Sequence, residues 1–257
     1  MKRWRVTACE VAANVYYYPS FLSEAQQATL TALIDEPDET RPWQTLTQRR
    51  LKMYGGTPVA SAGGMVAETV PHWLPALWAA LERVDVVAER GLRLNHVLLN
   101  EYVEGRGIGW HQDGPLYHDC ALVLSLGGDA LMRFFERGKE GERGGEAHVL
   151  LRRGSLLIFT DEAYTRWHHG IATATADRLD DRFLANAATL EGLHVGDLVA
   201  RPSRRLSLTV RAVKAVAERP ALQTAEQRSE LTRRAQTFYH NVSELGHDDE
   251  SRDMDAY

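Results

Sequence analysis

From Asn95 onward, apolar residues come in short runs bounded by glycine or charge. They read "HVLLNEYV" (96–103), "ALVLSLGG" (121–128), "ALMRFFER" (130–137), "HVLLRRGSLLIF" (148–159) and "RLSLTVRAV" (205–213). Spaced runs of this kind predict strands, and their number predicts a mainly β sandwich, barrel or jelly roll. Nearer the N-terminus the period changes. "FLSEAQQATLTALID" predicts a helix over Glu24 to Asp35, with Ser23 as N-cap and Gln26 completing a capping box. A second helix is expected over Trp73 to Arg90, with Pro75 in its first turn. Between the two, Pro37 to Pro71 reads as loop-rich, with Gly55-Gly56 and Gly63-Gly64. The insert "RGKEGERGGE" (137–146) is too polar to pack and reads as an exposed loop, and residues 177–203 read as a long, weakly patterned connection. Past Pro220, the stretch 221–245 could form an amphipathic helix.

Composition changes this picture little. A chain of 257 residues with 44% hydrophobic content suits one sizeable core with elaborations. The boundaries expected are a single domain over 1–219 and a C-terminal extension over 220–257. No run of about 18 apolar residues occurs, so no membrane span is expected. Cys9 and Cys120 are the only cysteines. Free thiols in a reducing compartment are the reading taken over a disulfide, which gives a cytoplasmic or nuclear expectation. The net charge of −5 is concentrated at the end: residues 247–255 hold five acids against Arg252, leaving residues 1–246 near −1. The acidic tail is expected to be disordered. A near-neutral body argues against wholesale coating of nucleic acid and leaves room for a local basic groove. Nothing points to a dimer interface, and a monomer is the default.

The candidate chemistry lies in four polar clusters. His111 and Asp113 are two apart, so on an extended segment both side chains leave the same face and can converge on one metal. With ten histidines and fifteen aspartates, roughly 0.6 such pairs arise by chance, so the pair alone says little. A second copy, His247 with Asp249, falls in the tail. A distant histidine would complete two nitrogens and one carboxylate with open coordination positions, as iron oxygenases require. A catalytic zinc site could use the same ligands. His168 and His169 compete for that place, because alternation turns only one of them inward. Arg205, Ser207, Thr209 and Arg211 share one face of a strand, with Leu206, Leu208 and Val210 on the other. Two guanidiniums with hydroxyls between them make an anion cradle, or else an ordinary solvent-facing side. Asn100 and Tyr102 also share a face and can donate hydrogen bonds to a bound acid. In Arg41 to Ala67, Arg41, Arg49, Arg50 and Lys52 occur without an acidic residue before Glu68. Trp43 and Tyr54 flank them, a mixture suited to phosphate contact and base stacking.

Taken in order, these segments resemble the AlkB family of iron/2-oxoglutarate dioxygenases. "NEYVEGRGIGWHQDGP" resembles the family's Asn-x-Tyr segment leading into His-x-Asp. "WHHGI" resembles its distal His-Gly-Ile and selects His169, and "RLSLTVR" resembles its Arg-x-Asn-x-Thr-x-Arg strand, with Ser207 in place of asparagine. The likeness covers residues 15 to 213. "HQDGPLY", "AYTR" and "WQTLTQRRLKMYGG" are most similar to the sixth eukaryotic homologue. The resemblance implies a double-stranded β-helix over about 95–213, with N-terminal flanking helices and a nucleotide-recognition-like lid over about 41–67. It implies Fe(II) on His111, Asp113 and His169. Arg205 and Tyr102 would hold the distal carboxylate of 2-oxoglutarate, and Asn100, Ser207 and Arg211 its metal-bound end. Trp43, Arg49, Arg50 and Tyr54 become candidate substrate contacts. With O2 the products would be succinate, carbon dioxide and, from an N-methyl group of alkylated DNA or RNA, formaldehyde. One departure stands out: Gly114 and Pro115 follow Asp113 where members acting on methylated adenine or cytosine carry an acid. A protein or small-molecule substrate is the alternative, and a nucleic-acid-binding protein with a vestigial site is the third. The role of Arg133, expected on a strand near the pocket, is left open.

Overall fold

The computed structural model describes residues 14–59, 64–136, 145–180 and 182–217. Its elements in chain order begin with β1 (Val15–Tyr18), α1 (Glu24–Asp35), β2 (Gln44–Thr45), β3 (Arg50–Tyr54), β4 (Gly56–Val59), β5 (Gly64–Ala67), α2 (Leu74–Leu81) and α3 (Asp85–Ala88). They continue with β6 (His96–Val103), β7 (Ile108–His111), β8 (Tyr117–Leu126), β9 (Ala130–Glu136), β10 (Glu146–Leu151), β11 (Leu156–Thr160) and α4 (Asp161–Thr165). The last are β12 (Trp167–Ile171), β13 (Ala176–Arg178), β14 (Leu198–Ala200), β15 (Arg204–Val213) and β16 (Val216–Ala217). Seven strands form the major sheet in the order β1-β11-β8-β15-β6-β3-β2, and four form a second sheet, β10-β9-β12-β7. Every pairing within these two sheets is antiparallel. The expected mainly β jelly roll with N-terminal helices is what the chain forms.

One side of the major sheet packs on the helices, bringing Leu30, Ile34, Leu74 and Leu81 against Leu99, Leu122, Leu208 and Val210. Its other side faces the second sheet, where Val123, Leu157 and Phe159 meet Met132, Phe134 and Val149. The helix over Glu24–Asp35 is capped as its sequence predicts. The Ser23 amide donates to Gln26 Oε1 at 2.9 Å, and the Gln26 amide donates to Ser23 Oγ at 3.3 Å.

Three expectations need correction. The helix expected over Trp73–Arg90 is broken, because Val84 is extended between α2 and α3. Leu81, Val84, Val86 and Val87 are all buried. Positions two apart do not share a helix face, so only a break lets Val84 and Val86 both reach the core. The loop-rich region over Pro37–Pro71 holds four short strands, of which β3 pairs with β6 at the end of the major sheet. The connection over 177–203 carries the β13–β14 ribbon, stapled by the buried Arg201, whose Nε and Nη2 donate to the two Asp177 oxygens at 2.7 Å each.

The extension over 220–257 and its expected helix, Cys9 and most of the 137–146 insert lie outside the described residues. Among those described, no helix is long and apolar enough to cross a membrane.

Candidate metal centre and co-substrate pocket

β15 is buried on both faces, which turns its alternation into a site. Leu206, Leu208 and Val210 go to the helix-side core, while Arg205, Ser207, Thr209 and Arg211 go between the sheets and are at most 9% exposed. The solvent-facing alternative for these four residues is therefore excluded. Strand register sets their neighbours across β6: Arg205 beside Tyr102, Ser207 beside Asn100, and Arg211 beside His96. Across β8, Ser207 lies beside Ser125.

The second sheet supplies the other wall. His169 on β12 is in register with His111 on β7, their ring centroids 4.3 Å apart. Asp113 follows β7, and ligand atoms of His111, Asp113 and His169 all lie within 4.8 Å of one another. His169, not His168, is the inward member of its pair: it packs on Phe134 and Phe159.

The donor set suits a divalent cation. His111 Nδ1 lies 2.9 Å from the Gly109 carbonyl. Only a protonated nitrogen can donate there, so Nε2 keeps its lone pair for the cluster. Burial lowers the pKa of both imidazoles, His169 the more strongly, and so favours their neutral, metal-binding forms. The His169 Nδ1 is buried without a hydrogen-bond partner. Arg211 donates to both Asp113 oxygens, from Nε at 3.0 Å and from Nη2 at 2.5 Å. The resemblance put Arg211 on the co-substrate; here its fork is taken by the carboxylate, whose orientation it fixes.

Arg205 fits the anchor of a dicarboxylate. It is 4% exposed, donates from Nη2 to Ser125 Oγ at 3.0 Å, and stands 5.7 Å from the Tyr102 ring centroid. Its Nε is buried without a partner. Burial pushes its pKa down to about 10, with Tyr102 and Asp177 opposing. A buried guanidinium without a carboxylate beside it calls for an anion. A small cleft, lined by Tyr102, Ile171, Arg201 and Arg205 among others, opens next to it.

The four expected substrate contacts divide by strand parity. Arg50, Lys52 and Tyr54 on β3 pair with Glu101, Leu99 and Val97, and share their helix-side face. Tyr54 is 2% exposed with its ring edge-on to Trp73. Arg50 pairs with Glu101, and both Arg50 and Lys52 cover the Trp43 ring, 4.5 and 5.0 Å from its centroid. Trp43, Arg50 and Tyr54 thus lie on the helix side of the major sheet, with Arg50 exposed, and not on the face that carries Arg205 and Arg211. Arg49 has the opposite parity and donates from Nε to Asn100 Oδ1 at 2.9 Å. Arg133, whose role the sequence left open, lies on β9, the strand paired with β12, but its neighbours Met132 and Phe134 fill the inter-sheet core, so its side chain leaves by the opposite face.

Sequence reasoning missed Ser125 and His96. Ser125 is the single polar residue in an apolar run, the one signal available for it. His96 is fully buried beside Arg211, its ring packs on Tyr117 with centroids 5.5 Å apart, and both its nitrogens lack partners. Burial, with Arg211 adding and Asp113 opposing, pushes its pKa down to about 3. The folded state therefore holds His96 neutral, while the unfolded chain takes up a proton below about pH 6.5. Stability from this group is complete above pH 6.5 and is lost as pH falls towards 3. Going from pH 7.5 to 5 should cost about 2 kcal/mol through His96. His96→Leu should remove that share of the acid loss, measured as urea midpoints of metal-free protein at the two pH values. An equal acid loss in the variant would contradict the assignment.

Comparison with known proteins now decides the family. Residues 14–211 match the model of the 2OG-Fe(II) oxygenase superfamily. A zebrafish (Danio rerio) protein named "Probable RNA/DNA demethylase ALKBH6" is 35% identical over 212 residues, 79% of this chain and 87% of its own length. This chain is an AlkB-type 2OG-Fe(II) oxygenase. It is also similar to alkbh8 of Xenopus tropicalis, named as a tRNA (carboxymethyluridine(34)-5-O)-methyltransferase, at 29% identity over 76% of this chain. A third relative is the alpha-ketoglutarate-dependent dioxygenase alkB homolog 3 of Rattus norvegicus, at 27% identity over 62%. The chain spans only 31% and 58% of these last two. As a family member the protein is an oxidoreductase using Fe(II), 2-oxoglutarate and O2.

Proposed function

We propose that this oxygenase removes methyl groups from nitrogen atoms of nucleic-acid bases, working as a single catalytic domain in which the two sheets enclose the site. The observation that carries the oxygenase chemistry is the convergence of His111, Asp113 and His169, with a buried Arg205 that has no carboxylate partner among the described residues on the same face of β15 as Arg211, the partner of Asp113. The 35% identity to a protein named as an RNA/DNA demethylase supports the substrate class. Iron bound there would couple O2 to decarboxylation of 2-oxoglutarate, giving succinate, carbon dioxide and a hydroxylated methyl group that leaves as formaldehyde.

In this reading His111, Asp113 and His169 hold the metal, and Arg211 keeps the Asp113 carboxylate in one orientation. Arg205 binds the distal carboxylate in the paired geometry a guanidinium offers, with Tyr102 beside it. Asn100 and Ser207, in register on β6 and β15, meet the metal-bound end. Met132, Phe134 and Phe159 keep water from the inner wall. A nucleic-acid substrate accords with a cytoplasmic or nuclear protein.

A second reading, oxidation of a protein or small molecule, draws support from the lid: Trp43, Arg50 and Tyr54 face the helix side. Fe(II) and 2-oxoglutarate would be bound anaerobically and O2 then admitted with a panel of methylated oligonucleotides. Formaldehyde matched to succinate from an oligonucleotide is the expected result. Tight co-substrate binding with only slow succinate formation across the whole panel would overturn the nucleic-acid reading in favour of the second.

A further inference from the structure

Backbone pairing stops short of one metal ligand. β7 ends at His111, and its ladder to β12 sets His111 opposite His169 and Ile108 opposite Ile171, with an irregularity between them. Asp113 lies beyond that ladder, on residues 112–116, which lead into β8. The far end of this segment is tied to the chain after β15, where the Lys214 amide donates to the Leu116 carbonyl at 2.9 Å. The Asp113 carboxylate must still stay within 4.8 Å of a ligand atom of His169, carried by β12.

Two hydrogen bonds from outside the sheet straddle Asp113. Before it, Gln112 Nε2 donates to the Thr165 carbonyl at 3.1 Å. After it, the Gly114 carbonyl accepts from the Tyr164 hydroxyl at 3.0 Å. Thr165 and Tyr164 both belong to α4, the short helix that leads through Arg166 into β12 and so to His169. One helix thus grips the chain on either side of Asp113 while its own continuation carries His169. The motifs "HQDGPLY" and "AYTR", far apart in sequence, meet through these two bonds.

α4 is itself firmly held. Asp161 at its start has φ +51°, a left-handed conformation that persists only where the surroundings impose it. Arg90 imposes it, donating from Nη1 to Asp161 Oδ1 at 3.0 Å and from Nη2 to Thr160 Oγ1 at 3.1 Å, with Nη2 also paired to Asp161 Oδ2. Thr165 Oγ1 closes the turn on the Asp161 carbonyl at 2.9 Å. The Tyr164 ring is buried and stacked on Phe159, so its hydroxyl cannot follow a displaced loop.

We propose that Tyr164 and Gln112 are positioning residues for the metal centre, fixing the Asp113 segment against His169 through α4. Arg211 turns the carboxylate; α4 sets where the backbone bearing it stands. A ligand set placed in advance leaves the metal less ordering to impose, and so binds it more tightly. The inference rests on His111, Asp113 and His169 as ligands and holds for any substrate class.

Tyr164→Phe keeps the ring and removes the hydroxyl. Gln112→Leu removes the other bond at a partly exposed position, where folding is not at stake. On the full-length protein the readouts are anaerobic Fe(II) affinity by chelator competition, the visible spectrum with Co(II) in place of iron, and the thermal midpoint without metal. Each variant should bind Fe(II) at least about tenfold more weakly, as loss of an outer partner of a metal ligand does, and should shift the Co(II) bands. The double variant should lose little beyond the larger single loss, since either break frees the same segment. Arg166→Ala, whose side chain pairs with Glu136 and Glu162, should keep wild-type affinity. A merely structural role would lower the midpoint and leave the affinity of the folded protein alone. Unchanged Fe(II) affinity in either single variant therefore overturns the proposal, as do losses that multiply in the double variant or an equal loss in Arg166→Ala. If the wild type took up no Fe(II), the metal centre itself would have failed, and this inference with it.

Discussion

Replacing His111 with alanine should lower succinate formation by at least about a hundredfold and remove tight iron binding, with folding preserved. Loss of a group that merely orients a metal ligand costs about 10–100-fold, so losing a ligand should cost more. His111 is the cleanest of the three to remove. It ends β7 and is only partly buried, and its pairing with β12 is made by the backbone. Asp113→Ala would instead strand the 4%-exposed Arg211 without its carboxylate. Breaking a buried ion pair this way costs about 3–5 kcal/mol, so lost activity could not be told from lost fold. His169→Ala opens a hole against Phe134 and Phe159 in the inter-sheet core. The measurements are iron affinity, succinate yield and thermal midpoint on one preparation. Full activity of metal-stripped His111→Ala would refute the site.

Where alternation had a known frame, the sequence was legible. Four residues on one face of β15, the His-x-Asp pair and the choice of His169 over His168 all follow from period two, once segments are placed by likeness. The capping box at Ser23 is likewise a local signal and needs no tertiary context. The face on which the four candidate substrate contacts lie was not legible. Trp43, Arg50 and Tyr54 lie in a segment read as loop, and a loop has no parity. Once Arg50–Tyr54 is a strand against β6, the same alternation that serves β15 turns Arg50 and Tyr54 away from the site and Arg49 toward it. The anion-cradle face of β15 posed the reverse problem. Polar residues at every second position describe a solvent face equally well, and only the second sheet lying over them decides the matter. The broken helix after Trp73 follows from burial on two directions at once, which a single-helix pattern cannot express. His96 gave no signal, because its burial comes from its neighbours and not from its own segment.

Arg205→Leu should move two quantities in opposite directions. The 2-oxoglutarate affinity should fall by at least about thirtyfold, since truncating one side of a buried charge pair costs about 2–5 kcal/mol. The co-substrate-free protein, by contrast, should become more stable. Arg205 is a desolvated cation whose Nε has no partner, and leucine fills much of its space without that penalty. A rise in the unfolding midpoint without 2-oxoglutarate, together with loss of the further rise it gives the wild type, would show that the cation is held for its ligand. Ser125 is the control, because its hydroxyl accepts the one side-chain hydrogen bond that Arg205 makes among the described residues, at 3.0 Å. Ser125→Ala should weaken 2-oxoglutarate by a smaller factor and leave iron affinity unchanged. If Arg205→Leu bound 2-oxoglutarate normally, the anchor would have to be sought at Arg201 or Arg106, which line the same cleft. Arg201 is locked to Asp177 by two bonds, whereas Arg205 has no carboxylate partner among the described residues to leave. An incoming dicarboxylate is opposed by no existing partner at Arg205, and that difference places the anchor there.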